Sequence, residues 1–162
     1  MSQNEIKILM VCLGNICRSP LAEGILKDKL TKEKITNVKV DSAGFVRCHL
    51  NNPPDSRAIK VARKNNVDIS KQRQRLFEVA DFDKFDKIYV MDENNFSDVA
   101  AYARDENDLA KIEFILNELY PNSNKIVPDP YYGGDSGFDK VFETLSTVSD
   151  AIVNKIKNGD FK

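Results

Sequence analysis

Residues 6–11, Ile6-Lys7-Ile8-Leu9-Met10-Val11, are an apolar, β-branched run that predicts a buried strand. Residues 21–30 place Leu21, Ala22, Ile25, Leu26 and Leu30 at helical spacing. Only the short segment from Cys12 to Pro20 separates them, so the chain must pass from strand to helix through one tight loop. At such a turn several backbone N–H groups converge, and the helix N-terminus adds positive potential. That geometry suits a phosphate dianion. Cys12 opens the loop and Arg18 closes it. The arginine can clamp two phosphate oxygens, and a thiol in the same field is drawn toward the thiolate. Cys-x5-Arg alone recurs by chance and carries little. The whole string VCLGNICRSP in its strand–loop–helix setting reads as a nucleophile at the floor of an oxyanion cradle.

The rest of the composition narrows the class. A chain of 162 residues with 41% apolar and 30% charged residues suits one globular domain, residues 1–162. Its net charge of −1 gives no pull toward nucleic acid or an anionic membrane. No apolar run approaches a membrane span, and the first residues show no signal-peptide pattern. Cys12, Cys17 and Cys48 are too few and too uneven for a disulfide framework, which predicts a reducing, cytoplasmic setting. The only histidine, His49, rules out a histidine-rich metal site and reads as an exposed loop residue. No metal and no organic cofactor is expected.

Further along, strand and helix patterns alternate. Residues 38–41 predict a strand, 42–44 a turn, 51–54 a breaker cluster and 55–64 a helix ended by Asn65 and Asn66. Residues 86–91 predict a second buried strand, with Asp92 as the N-cap of the helix that follows. Residues 109–120 fit either a helical face or, over 112–116, a strand. Phe138, Val141, Phe142, Leu145, Val148, Ile152 and Ile156 mark a last helix, stopped near Gly159. Such alternation predicts an α/β domain with a mostly parallel sheet and helices on both faces, and ligands bind outside the carboxyl ends of its strands. Cys12 lies there.

A nucleophile at Cys12 needs a proton donor for the leaving group. Asp129 is the candidate: Pro128 and Pro130 fix its backbone, and Tyr131 and Tyr132 can wall a cleft against an aromatic ring. Asp92 is the rival carboxylate, but a helix cap accounts for it.

With both segments placed, the chain resembles the low-molecular-weight protein tyrosine phosphatases. The likeness runs over most of the chain, is strongest in VCLGNICRSP and DPYYG, and extends to DSAG at residues 41–44 and MDEN at 91–94. It implies a four-stranded parallel sheet, so residues 112–116 are taken as a strand. It implies phosphotyrosine proteins and small aryl phosphates as substrates, an acid phosphatase activity, and inorganic phosphate as product. Cys12 would be the nucleophile, Arg18 the clamp and Asp129 the general acid and base. The loop residues Leu13, Gly14, Asn15, Ile16, Cys17 and Ser19 would bind substrate with Tyr131 and Tyr132. In that family picture Asn15 and Ser42 brace the loop, Ser19 hydrogen-bonds the thiolate, and Cys17 can trap Cys12 in a reversible disulfide. A monomer or weak dimer is expected.

This chain departs from the family pattern in three places. Gln72 stands where a histidine usually joins the polar network behind Asn15; it can both donate and accept, and is expected to support the loop. Cys48 takes the place of an aromatic at the cleft rim, and Ser56 replaces a proline. Related arsenate reductases need further redox cysteines between about residues 80 and 90, and this chain has none there. Protein arginine phosphatases carry threonine where Ile16 stands. A phosphate-binding module without catalysis is disfavoured by the joint presence of Cys12, Arg18 and Asp129.

Overall fold

The computed structural model describes residues 4–132 and 134–161. Four parallel strands form one sheet in the order β2-β1-β3-β4. Strand β1 (Ile6–Val11) pairs with β2 (Val38–Ala43) along its whole length, from Ile6↔Val38 to Val11↔Ala43. On its other side β1 pairs with β3 (Lys87–Val90), which in turn pairs with β4 (Ile112–Phe114). Alternation along β1 divides the core. Ile8 and Met10 point into a cluster with Leu21, Ile25, Leu26, Phe138, Leu145 and Ile152, whereas Leu9 and Val11 join Phe77, Phe82, Phe85, Val99 and Phe114. Both faces of the sheet are therefore covered, as parallel sheets require.

The helices supply that cover. On one side lie α1 (Arg18–Lys32), α2 (Ser56–Lys64) and the long α6 (Gly134–Lys157), with α1 and α2 both packed on α6. The short α3 (Asp81–Lys84), α4 (Glu93–Ala100) and α5 (Glu106–Ala110) complete the set in chain order. Helix α1 starts at Arg18, ahead of the periodic stretch. Pro20 is tolerated because the first turn of a helix has no intrahelical partner for its N–H groups. Asp92 caps α4 by accepting from Asn95 N, as expected, whereas Asp55, expected as the first residue of α2, stands outside it as its N-cap and accepts from Arg57 N.

Two expectations need correction. Ser42 and Ala43 do not turn; they extend β2 because Met10 and Val11 of β1 stand opposite them. The strand expected over residues 112–116 stops at Phe114, and Ile115–Glu118 winds as a 3-10 helix. Helices α3 and α5 and the 3-10 turn at Arg47–His49 were not anticipated, since pieces this short show no period. Gly24 lets the segment around residue 69 press onto α1, because a Cβ there would run into Cγ2 of Ile69.

The sheet order places a switch point between β1 and β3: the chain leaves β1 toward β2 and later returns on the other side. Ligand crevices form at such a point, outside the carboxyl ends of the strands. The loop from Cys12 to Arg18 follows β1 and Asp92 follows β3, so both open into that crevice. Among the described residues, no helix is long and apolar enough to cross a membrane.

Candidate active site

A cleft of about 240 Å³ opens above the carboxyl end of β1, lined by Cys12, Leu13, Gly14, Ile16, Cys17, Arg18, Val46, His49, Asp129, Tyr131 and Tyr132. The two segments singled out in the sequence, more than a hundred residues apart, thus share one pocket. Cys12 is 3% exposed. Its Sγ lies 3.0 Å from Ser19 Oγ and accepts from Ser19 N at 3.4 Å.

The hydrogen-bond directions behind the sulfur follow from the donor inventory. Asn15 Nδ2 donates to Ser19 Oγ at 2.8 Å and to Ser42 Oγ at 2.9 Å, which uses both of its hydrogens. Ser19 Oγ, which accepts from Asn15, keeps its own hydrogen available for the Cys12 sulfur. Ser42 Oγ donates in turn to Glu23 Oε1 at 2.7 Å. Asn15 Oδ1 accepts from Arg75 N at 3.1 Å. Asn15 holds a left-handed backbone with φ 54°, a region that a short polar residue enters at least cost.

Arg18 is 3% exposed and fixed from behind. Its Nη1 donates to Asp92 Oδ2 at 2.7 Å and to the Val127 carbonyl at 2.9 Å. Val127 N donates to the Met91 carbonyl at 2.8 Å, which docks the acid-bearing segment on the end of β3. The Nε–Nη2 edge of Arg18 remains as a planar fork for an oxyanion. Asp129 stands at the mouth, its carboxyl 40% exposed, with Oδ2 3.6 Å from Arg18 Nη2. Asp129 Oδ1 accepts from Tyr131 N at 3.0 Å, an Asx turn that sets the direction of the carboxyl.

Cys17 is also buried, and its thiol is pushed well above the usual range by burial first, then by the nearby Asp55 carboxylate, Cys12 and Asp129. It is held as a neutral thiol. Glu23 is raised as well, chiefly by burial, although Lys27 and the Ser42 hydroxyl work against that rise.

Several placements differ from the sequence reading. Gln72 does not join Asn15. Its Nε2 donates to the Pro20 carbonyl at 3.1 Å, and its Oε1 is buried with no partner among the described residues. The polar chain behind the loop runs instead through Ser42 to Glu23, with Arg75 holding Asn15 from the other end. Cys48 is exposed and does not line the cleft. Residues 47–49 form one 3-10 turn, with three residues per turn, so Val46 and His49 share the side toward the cleft and Cys48 points away. His49, expected as a loop residue in solvent, is half-buried on the cleft wall. Asp92 caps its helix as expected but also tethers Arg18, which the cap reading missed. Glu23, Arg75 and the Val127 carbonyl were not anticipated; an acidic residue inside an apolar helical run, three residues past the loop proline, was the one signal for Glu23. Among the described residues, no three His, Cys, Asp or Glu side chains gather as a metal site.

Comparisons with known proteins agree with this arrangement. The low molecular weight phosphotyrosine protein phosphatase family matches residues 7–160. The low molecular weight phosphotyrosine protein phosphatase of Schizosaccharomyces pombe is 35% identical over 154 residues, covering 94% of this chain and 97% of the relative. A protein tyrosine phosphatase from Entamoeba histolytica, solved with Hepes in its active site, superposes with a TM-score of 0.89 at 32% identity, over 97% of this chain and 100% of its own. Wzb of Vibrio vulnificus, solved with benzylphosphonate, gives a TM-score of 0.82 at 28% identity over 94% and 99% of the two chains. The class is thus a phosphatase, a hydrolase of phosphoric esters. Within it the chain belongs to the low molecular weight phosphotyrosine protein phosphatase family.

Gly44 provides a direct test of how closely the loop is supported. A Cβ there would sit 2.8 Å from the Leu13 carbonyl oxygen, 2.8 Å from Asn15 Cβ and 2.9 Å from Asn15 N. Two of these are backbone atoms of the phosphate loop, which would have to move. Gly44→Ala is therefore expected to lower kcat/KM for an aryl phosphate by on the order of 10–100-fold, the scale of a sub-ångström to ångström displacement at a reacting centre. Steady-state assays read this directly, and wild-type kinetics in the variant would show that the loop does not depend on that contact.

Proposed function

We propose that this chain hydrolyses phosphotyrosine in proteins, and small aryl phosphates, through a cysteinyl-phosphate intermediate. The observation that carries the reading is the shared cleft: a buried sulfur held by the amide and hydroxyl of Ser19, an arginine fork beside it, and a carboxyl at the mouth. In the first step the Cys12 thiolate attacks phosphorus. An S–P bond forms, the P–O bond to the ring breaks, and Asp129 gives its proton to the departing phenolate. In the second step Asp129, now a carboxylate, takes a proton from water. The water oxygen attacks phosphorus, the S–P bond breaks, and inorganic phosphate leaves. Arg18 and the backbone N–H groups between Leu13 and Ser19 hold the equatorial oxygens in both steps. Ser42 and Asn15 hold the loop, and Ser19 stabilises the sulfur each time it becomes thiolate.

The substrate class follows from depth and lining. Cys12 lies at the bottom of the cleft, so a phosphate must be carried on a long, slim group to reach it. Tyr131 and Ile16 offer the ring apolar contact. A phosphoguanidino group would lose hydrogen bonds to water beside Ile16, which favours phosphotyrosine over phosphoarginine. Benzylphosphonate, the ring-bearing tetrahedral anion bound by the Vibrio vulnificus relative, has the shape this cleft admits. One chain completes the site, so activity needs no second copy, and a monomer or weak dimer suffices. Three free cysteines suit a reducing cytoplasm.

Cys12→Ser should abolish turnover of phosphotyrosine peptides while retaining phosphate binding, and chelators should leave the wild type fully active. Hydrolysis by the serine variant, or loss of activity on chelation, would refute the mechanism.

Asp129→Ala should slow the phosphorylation step more as the leaving group becomes more basic, because a poor phenolate needs its proton during departure. A series of aryl phosphates of rising leaving-group pKa measures this. A flat loss across the series would assign Asp129 to positioning alone.

Peroxide should inhibit reversibly. Oxidation of Cys12 to the sulfenic acid, with peroxide reduced to water, allows the Cys17 thiol to displace a second water and close a disulfide. A linked Cys12–Cys17 peptide in the mass spectrum and recovery with added thiol are expected; equal recovery by Cys17→Ser would deny Cys17 that protective role.

A further inference from the structure

We propose that Arg57 is the positioning residue that sets the aromatic wall of the cleft, and through it the preference for ring-bearing phosphoesters. The inference rests on the phosphatase reading above and deepens it. Arg57 lies in the first turn of α2, outside the cleft lining, and touches none of the reacting groups. Its guanidinium is fixed edge-on by Asp55: Nε lies 3.0 Å from Oδ1 and Nη2 3.0 Å from Oδ2. The same Asp55 Oδ1 accepts from Arg57 N at 2.8 Å, so the fork is anchored to the helix start at both ends. Held in that plane, the guanidinium carbon lies 4.7 Å from the centroid of Phe138 and 5.3 Å from that of Tyr131. Both are within the range of a cation–π contact, and a planar guanidinium suits ring faces better than an ammonium does.

The two rings differ in what they need. Phe138 is buried in the core by its own packing and needs no post. Tyr131 is 38% exposed, and its ring is fixed by Arg57 on one hand and by an edge contact with Tyr132 at 4.9 Å on the other. Tyr132 is itself 92% exposed and offers no rigid support. Arg57 is therefore the fixed point from which Tyr131 is set. The unit also reaches the phosphate loop, because Asp55 N donates to the Ile16 carbonyl at 2.8 Å. Asp55 and Arg57 thus hold the wall on which the ring rests in register with the cradle that takes the phosphate.

Inhibition constants separate this role from general support. Inorganic phosphate probes the cradle alone, and phenylphosphonate probes cradle plus wall. In Arg57→Met the constant for phenylphosphonate should rise about tenfold while that for inorganic phosphate stays within about twofold, a tenfold change being about 1.4 kcal/mol. For phosphotyrosine peptides the loss should fall on KM more than on kcat. Arg57→Lys keeps a charge beside Asp55 without the planar face, and should lose most of the same selectivity. In a Tyr131→Leu background, Arg57→Met should cause no further change in the ratio of the two constants. A parallel rise of both constants, an unchanged ratio, or a loss that persists without the Tyr131 ring would overturn the proposal. Should Arg57→Met fail to fold, as judged by urea unfolding, the Lys variant with and without Tyr131→Leu gives the same decision. Wild-type enzyme that binds both anions yet leaves phosphotyrosine intact would defeat the phosphatase mechanism and not this assignment.

Discussion

A left-handed backbone at Asn15 costs about 1–2 kcal/mol for a residue with a side chain, and the whole site depends on its being held there. That turn lies in the loop that carries the chain from β1 to α1 and brings Ser19 N onto the Cys12 sulfur. Three hydrogen bonds hold the Asn15 side chain, to Ser19, to Ser42 and from Arg75 N. Each is worth roughly 1 kcal/mol net, so together they outweigh the strain. They also give the residue a chemical role. Asn15 donates to the same Ser19 hydroxyl that lies against the Cys12 sulfur, so one side chain shapes the loop and holds the group beside the nucleophile.

The strand–loop–helix frame was legible because each part has a local signature. Residues 6–11 are apolar but for Lys7, α1 and α6 repeat every three to four residues, and Asp92 sits where a cap belongs. Cys12, Arg18 and Asp129 stood out because their neighbours constrain them: a short loop for the first two, flanking prolines for the third. What stayed hidden is held by contacts across the chain. Nothing near Arg75 reveals that its N–H reaches Asn15, sixty residues away. Nothing around Asp92 distinguishes a cap from a cap that also grips Arg18. Gln72 was assigned by its place in a pattern, but its amide found the nearer Pro20 carbonyl. Cys48 was misplaced for a geometric reason, since a single 3-10 turn decides which of three neighbouring residues faces the cleft.

Arg18 shows how the protein divides one side chain between structure and chemistry. The guanidinium offers five N–H donors in a fixed plane. Asp92 and the Val127 carbonyl take Nη1, and both sit on the end of β3 or on the segment hydrogen-bonded to it. The oxyanion fork is thereby referred to the neighbouring strand, while the thiol is referred to β1. Correct spacing between nucleophile and clamp follows from the pairing of β1 with β3, from Ile8↔Lys87 to Val11↔Val90.

Strand β1 has neighbours on both sides, and its last four residues are completely buried. The loop that follows is therefore the continuation of the best-protected segment in the domain, unlike most binding loops, which open locally at small cost. Amide hydrogens along β1 are set to exchange only when the sheet itself comes apart. The nucleophile inherits that protection. Cys12 directly follows Val11, so the nucleophile is referred to the central strand rather than to an edge of the sheet.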